Sequence, residues 1–215
     1  MKHLKIKVCG MRDPENIAAV EALHPDYLGF IFFAKSKRFI GTRSLPPTTN
    51  STRVGVFVNA EHEEILNQVR RHQLAVVQLH GDESPEYVRM LQQQAPLLRL
   101  WKAVGIHAAF DFSGLDAYSA YLEAFVFDTA SKQYGGTGTS YDWSILHQYR
   151  GETPFWLSGG LGPDSMEALR DFHHPACWGL DLNSRFEKTP GHKDPALLKP
   201  FLETIRTQAY ELRSK

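Results

Sequence analysis

Residues 4–23 read LKIKVCGMRDPENIAAVEAL and hold one complete structural unit. "LKIKVC" (4–9) is a short apolar, β-rich run that ends at a loop. "DPENIAAVEAL" (13–23) then reads as a helix, with Asp13 as N-cap, Pro14 at N1 and Ile17, Ala18 and Val20 on one face. The same strand–loop–helix unit recurs down the chain. Further apolar runs are "YLGFIFF" (27–33), "RVGVFV" (53–58), "AVVQLH" (75–80), "LLRLWKAV" (97–104), "AFVFDT" (124–129), "PFWLSG" (154–159) and "CWGLDL" (177–182). That makes eight, spaced by 22 to 30 residues, about what a strand, two loops and a short helix need.

Helical patterns fill most of the gaps. "EHEEILNQVRRH" (61–72) carries Ile65, Leu66 and Val69 on its apolar side. "SPEYVRMLQQQ" (84–94) opens on a cap and a proline, with Val88 and Leu91 inside. "GPDSMEALRDF" (162–172) and "KDPALLKPFLETIRTQAYELR" (193–213) follow the same grammar, and Pro200 predicts a kink early in the last one. Two connections break the rule. "GTRSLPPTTNST" (41–52) is too rich in Pro, Thr and Ser for a good helix, and "GIHAAFDFSGLDAY" (105–118) is punctuated by glycine. Alternating strands and helices predict parallel pairing through right-handed crossovers. Eight units favour a closed α/β barrel of the (β/α)₈ or TIM type over an open sheet. The whole of 1–215 is expected to form this single domain, with some outer helices shortened or missing.

The composition narrows the partners. The 215 residues carry 24 basic and 24 acidic side chains, a formal charge of zero, which speaks against nucleic acid or an anionic membrane as partner. Cys9 and Cys177 are the only cysteines, too few for a disulfide framework, and predict reduced thiols in a cytoplasmic protein. The N-terminus lacks the apolar stretch of a signal peptide, and no apolar run is long enough to span a bilayer.

In such a barrel the chemistry is built from loops at the carboxyl ends of the strands. The first strand ends in Cys9; the loop after the second brings Ser36 and Arg38; the fourth offers Gln78 and His80; the sixth offers Asp128. "LSGGLGPDS" (157–165) places Gly159 and Gly160 between a strand and a helix start, where bare backbone N–H groups can cradle a phosphate. "DLNSRFE" (181–187) adds Asp181, Asn183 and Ser184 beside it. Asp128 ends a Phe-Val-Phe strand, so it is partly withdrawn from water and suited to hold a proton as a general acid. For Cys9, a nucleophile needs a paired base, and His80 stands across the barrel. No CxxC or HxxxH spacing supports a metal. A general base remains. Around the barrel the sixth, seventh, eighth and first strands are neighbours, so acid and base flank the cradle, the layout for a proton-transfer isomerisation. Arg38 lies beyond Cys9, placed to grip a carboxylate at the far end of a substrate or else to be a surface charge.

At these residues the chain resembles the phosphoribosylanthranilate isomerases of tryptophan biosynthesis. The resemblance runs nearly end to end, through "KVCGMRDPENI", "YLGFIFFAKSKR", "VGVFVN", "VQLHGDE", "FDTASKQYGGTGTSYDW", "FWLSGGLGPDS" and "GLDLNSRFEKTPGHKD". It implies a (β/α)₈ barrel that carries out an Amadori rearrangement of N-(5′-phosphoribosyl)anthranilate to 1-(2-carboxyphenylamino)-1-deoxyribulose 5-phosphate, with no metal or organic cofactor. By the resemblance the base falls on Cys9, the acid on Asp128 and the carboxylate-binding arginine on Arg38. Phosphate contacts fall on Gly159, Gly160, Asn183 and Ser184, and Gln78, His80 and Asp181 are pocket residues. The expected partner is a small phosphoribosyl substrate, and the expected assembly a monomer or homodimer. Many members of the family have a proper helix where this chain has "GTRSLPPTTNST", a departure on the outside of the barrel. The nearest rival is a related barrel isomerase of histidine biosynthesis, expected to use two aspartates where this chain has Cys9. A second is a phosphosugar-binding barrel without catalysis, which has no need of an acid and a base. A redox role lacks a resolving thiol near Cys9.

Overall fold

The computed structural model describes residues 4–46, 50–130 and 142–211. Eight parallel strands close into a barrel in sequence order. They are β1 (Lys5–Val8), β2 (Tyr27–Ile31), β3 (Thr52–Phe57), β4 (Val76–Leu79), β5 (Arg99–Ile106), β6 (Ala124–Thr129), β7 (Phe155–Leu157) and β8 (Cys177–Leu182). β1 closes the ring on β8, with Lys7 opposite Asp181.

The outer layer follows the caps. α1 (Pro14–Glu21) starts where the Asp13 carboxylate accepts from the Asn16 N–H, and α3 (Pro85–Gln94) where the Ser84 hydroxyl accepts from the Tyr87 N–H. α2 (His62–His72) ends at Gln73 in the left-handed conformation. The short α4 (Asp116–Ser119) follows a 3₁₀ turn over Phe112–Leu115, and 41–46 and 50–51 form no helix, as the composition of the two odd connections predicts. Among the described residues the sixth crossover holds a 3₁₀ segment, Trp143–Gln148, and the seventh a 3₁₀ turn leading into α5 (Met166–Asp171).

One expectation is corrected. Ala18 is exposed; α1 instead buries Asn16, Ile17, Val20 and Glu21, because its inner face also meets polar neighbours. A hairpin of β9 (Glu187–Thr189) and β10 (His192–Lys193) stands between β8 and the last helix, turning at Gly191 with φ +84. That helix, α6 (Pro195–Glu211), runs on through Pro200. Pro200 lies near its start, so only one backbone bond of the first turns is lost there.

Along each strand, side chains alternate between the helices and the barrel axis. Ile6, Val8, Leu28, Phe30, Val77, Leu79, Phe125, Phe127 and Phe155 pack with Ile17, Val20, Ile65, Val88, Leu91 and Leu198 of the helices. Each large side chain fully buried there stabilises the fold by roughly 1.5–3 kcal/mol. The other phase fills the axis in tiers. Where the strands begin, Tyr27, Trp101 and Trp156 form a floor with edge and tilted contacts at 4.8–5.2 Å, and Trp178 joins from β8. Above it lie the polar side chains Lys7, Gln78 and Asp181, all buried. Cys9, Ile31 and Val56 pack at the mouth.

Candidate active site

The strand ends gather the expected residues in one cavity. Cys9 follows β1, Gln78 is the penultimate residue of β4 and His80 follows it, Asp128 is the penultimate residue of β6, Gly159 and Gly160 follow β7, Asp181 is the penultimate residue of β8, and Asn183 and Ser184 follow it; all of them line it. Ser36 and Ser158 line it as well. Of the motif after β6, residues 131–141, which include "GGTGTSY", lie outside the described residues.

Gly159 and Gly160 adopt φ +87 and +70, which other residues reach only at a cost of roughly 1–2 kcal/mol. Their amide groups have no acceptor among the described residues. A Cβ on Gly159 would meet the Thr129 hydroxyl oxygen at 2.3 Å and the Thr129 amide at 2.6 Å. Gly159→Ala is therefore expected to distort the cradle, raising KM about tenfold or more with a smaller effect on kcat. Steady-state kinetics on the folded variant check this.

Asp128 accepts from the Thr129 N–H at 2.8 Å through Oδ1, while Oδ2 faces His80 Nε2 at 3.5 Å. The donors fix the state of His80. Lys7 Nζ can only donate, so Gln78 must present Oε1 to it, at 2.6 Å. The Gln78 NH₂ is then turned to His80 Nδ1, at 3.1 Å. Nδ1 accepts, and neutral His80 carries its proton on Nε2, toward Asp128. The expected obstacle to a Cys–His pair holds: His80 serves Asp128, not Cys9.

Beneath the cavity Lys7 pairs with Asp181 Oδ2 at 2.9 Å. Burial opposes the Lys7 ammonium, but the charge of Asp181, then that of Cys9, outweighs it and its pKa is raised. Burial raises the Asp181 carboxyl above its ordinary range, with the charge of Lys7 pulling it down. Asp181 Oδ1 is buried and has no hydrogen-bond partner among the described residues. Burial raises the Cys9 thiol above its ordinary range, with Lys7 and Lys193 pulling it down and Asp181 pushing it up. Cys177 is half-buried, and burial pushes its thiol to about 12, consistent with a packing role.

Arg38 does not line the cavity. Its guanidinium forks onto Glu187, with Nε to Oε1 at 2.9 Å and Nη2 to Oε2 at 2.7 Å. At 11% exposure it is no loose surface charge, and its Nη1 has no partner among the described residues. Glu187 is shared with the fully buried Lys193, which also donates to Asn183 Oδ1 at 2.7 Å. Burial would raise Glu187, but Arg38 and Lys193 hold it below the usual carboxylate range. Gly10, at φ +75, makes room for this assembly: a Cβ there would stand 2.6 Å from Arg38 Cδ and 2.8 Å from Asn183 Oδ1. Lys7, Glu187 and Lys193 were not singled out by motif. For Lys7 a signal existed, since in "LKIKVC" it shares the phase of Cys9.

Among the described residues no group of three or more His, Cys, Asp or Glu side chains is arranged to hold a metal ion. A closed parallel barrel with its titratable side chains gathered where the strands end has the architecture of a barrel enzyme. The family model described as N-(5′phosphoribosyl)anthranilate (PRA) isomerase matches residues 6–204. An N-(5′-phosphoribosyl)anthranilate isomerase of Parabacteroides distasonis is 45% identical over 214 residues, covering 96% of this chain and 95% of its own. The crystal structure of phosphoribosyl anthranilate isomerase from Thermotoga maritima superposes with a TM-score of 0.80 at 33% identity, over 95% of this chain and 99% of that one. A phosphoribosyl anthranilate isomerase in complex with reduced 1-(o-carboxyphenylamino)-1-deoxyribulose 5-phosphate gives 0.76 at 31% identity, over 95% and 99% of the two chains. The chain belongs to the N-(5′-phosphoribosyl)anthranilate isomerase family. Among the described residues no helix is long and apolar enough to cross a membrane.

Proposed function

We propose that this protein isomerises N-(5′-phosphoribosyl)anthranilate to 1-(2-carboxyphenylamino)-1-deoxyribulose 5-phosphate by an Amadori rearrangement, with Asp128 as acid and Cys9 as base. The observation that carries this reading is a single cavity lined by a thiol, a carboxylate and a glycine pair with open amides. The phosphate rests on Gly159 and Gly160, with Asn183 and Ser184 beside it. Asp128 gives its proton to the ribose ring oxygen, the C1′–O bond breaks, and the open chain becomes a Schiff base. The Cys9 thiolate takes the C2′ proton, leaving an enolamine that tautomerises to the ketone. Asp181 Oδ1, a buried acceptor that lacks a donor among the described residues, takes a ribose hydroxyl, which removes the cost of an unpaired buried oxygen. The anthranilate carboxylate is taken by Arg38, whose Nη1 has no partner among the described residues and whose other edge is fixed on Glu187. Two free thiols suit a reducing compartment, and we place the enzyme in the cytoplasm.

The purified protein is expected to consume phosphoribosylanthranilate, seen as loss of its fluorescence, and a chelator is expected to leave the rate unchanged. Arg38→Ala should raise KM with kcat little altered. A charge-assisted hydrogen bond of about 1.5–3 kcal/mol corresponds to roughly ten- to hundred-fold. An unchanged KM would remove the carboxylate from Arg38.

A further inference from the structure

We infer that Lys7 is the resident counter-ion of the Cys9 thiolate, and so the positioning residue that allows a buried thiol to act as base; this rests on the base role proposed for Cys9. The geometry begins at Gly29. A Cβ built there would lie 2.7 Å from Cys9 Sγ and 3.0 Å from Lys7 Cε. Both side chains thus converge on the one slot in β2 that has no side chain of its own. Lys7 is 0% exposed, so its ammonium has no water to share its charge. Its Nζ donates to Gln78 Oε1 at 2.6 Å and to Asp181 Oδ2 at 2.9 Å, which leaves one of its three protons uncommitted among the described residues, on a side chain that shares the Gly29 slot with Cys9.

Gln78 is neutral and Asp181 supplies one negative charge. With Cys9 as a thiol, the Lys7–Asp181 pair balances alone. When Cys9 ionises, the second negative charge appears beside a cation already in place, so no solvent has to reorganise. When the thiolate takes the substrate's C2′ proton, Sγ becomes a thiol again and Lys7 stays an ammonium beside Asp181. Among the described residues the other charges facing Cys9 are few. Lys193 on β10 assists from the side of β8, with burial bringing its own pKa down to about 8. Asp181 on β8 opposes ionisation, and the Arg38–Glu187 pair behind Gly10 is internally neutral. On β2, Gly29 and Ile31 carry no charge, and across the cavity His80 and Asp128 face Asp181. Lys7 heads the charges that favour the thiolate.

The test is the titration of Cys9, read from its pH-dependent alkylation by iodoacetamide with mass-spectrometric assignment. Lys7→Gln keeps a donor for Asp181 and removes the charge. The Cys9 midpoint should rise by one pH unit or more, an about tenfold smaller thiolate population at a given lower pH. The rising limb of kcat/KM should move with it, and Lys7→Arg should restore both. A Cys9 midpoint unmoved in Lys7→Gln overturns the proposal. Should that variant not fold, the wild type decides: the Lys7 ¹⁵Nζ resonance should step at the pH where Cys9 becomes reactive, and a flat resonance overturns the proposal. Full turnover by Cys9→Ala would sink the base role alone and leaves the Lys7 titration to be judged on its own result.

Discussion

Cys9→Ala and Asp128→Asn are each expected to lower kcat by roughly two to four orders of magnitude, the usual worth of one proton-transfer group, while KM stays within a few-fold. Lys7, which shares the Gly29 slot with Cys9, is an ammonium that cannot take a proton. His80 has its Nδ1 occupied by Gln78 and its Nε2 turned to Asp128. In the proposed binding mode other residues take the phosphate and the carboxylate, so affinity should survive both changes. The measurement is initial rate against substrate concentration, with circular dichroism to show that the barrel is intact. A Cys9→Ala or Asp128→Asn enzyme within tenfold of the parent kcat would refute the assignment of that residue.

The second large effect concerns stability. Glu187→Ala is expected to cost about 3–5 kcal/mol, because it strands two cations that share one buried carboxylate. Lys193 is fully buried, Arg38 nearly so, and the Gly191 N–H also donates to Glu187 Oε1 at 3.0 Å. Denaturant unfolding at neutral pH measures the loss. The pH dependence has a definite sign. The folded protein holds Glu187 below its ordinary range, so the stability it contributes is complete above the unfolded value, about 4.3, and fades as pH falls through the lower folded value. The gap between parent and variant should therefore narrow in acid. A gap that is small at pH 7, or that widens in acid, would show that the buried trio is not held by charge.

How far the sequence could be read depended on the range of each signal. Asp13-Pro14 and Ser84-Pro85 announce helix starts because cap and proline act within one turn. Cys9, Asp128 and Asp181 could be placed at the mouth because an eightfold repeat fixes which end of each strand faces the substrate. Gly159 and Gly160 were legible because only glycine suits their φ. What stayed hidden depends on residues distant in the chain. Arg38 is separated from Glu187 by 149 positions, and no local pattern says that they share a fork. Lys7 looks like the polar half of a half-buried strand, whereas in a barrel that half faces a closed interior. The β9–β10 hairpin did carry its turn signal, the Pro190-Gly191 pair, but it is only five residues of strand, set inside a stretch whose motif pointed to the site.

The floor of the barrel has a practical consequence for spectroscopy. Three of the four tryptophans, Trp101, Trp156 and Trp178, are clustered there. The fourth, Trp143, packs on Phe172 in the outer layer. None of them lines the cavity at the opposite end of the strands. Indole emission from this protein is therefore a gauge of whether the ring of strands is closed at its base. The anthranilate group is the substrate's own chromophore and reports events at the mouth, so unfolding and turnover can be followed in two separate optical channels.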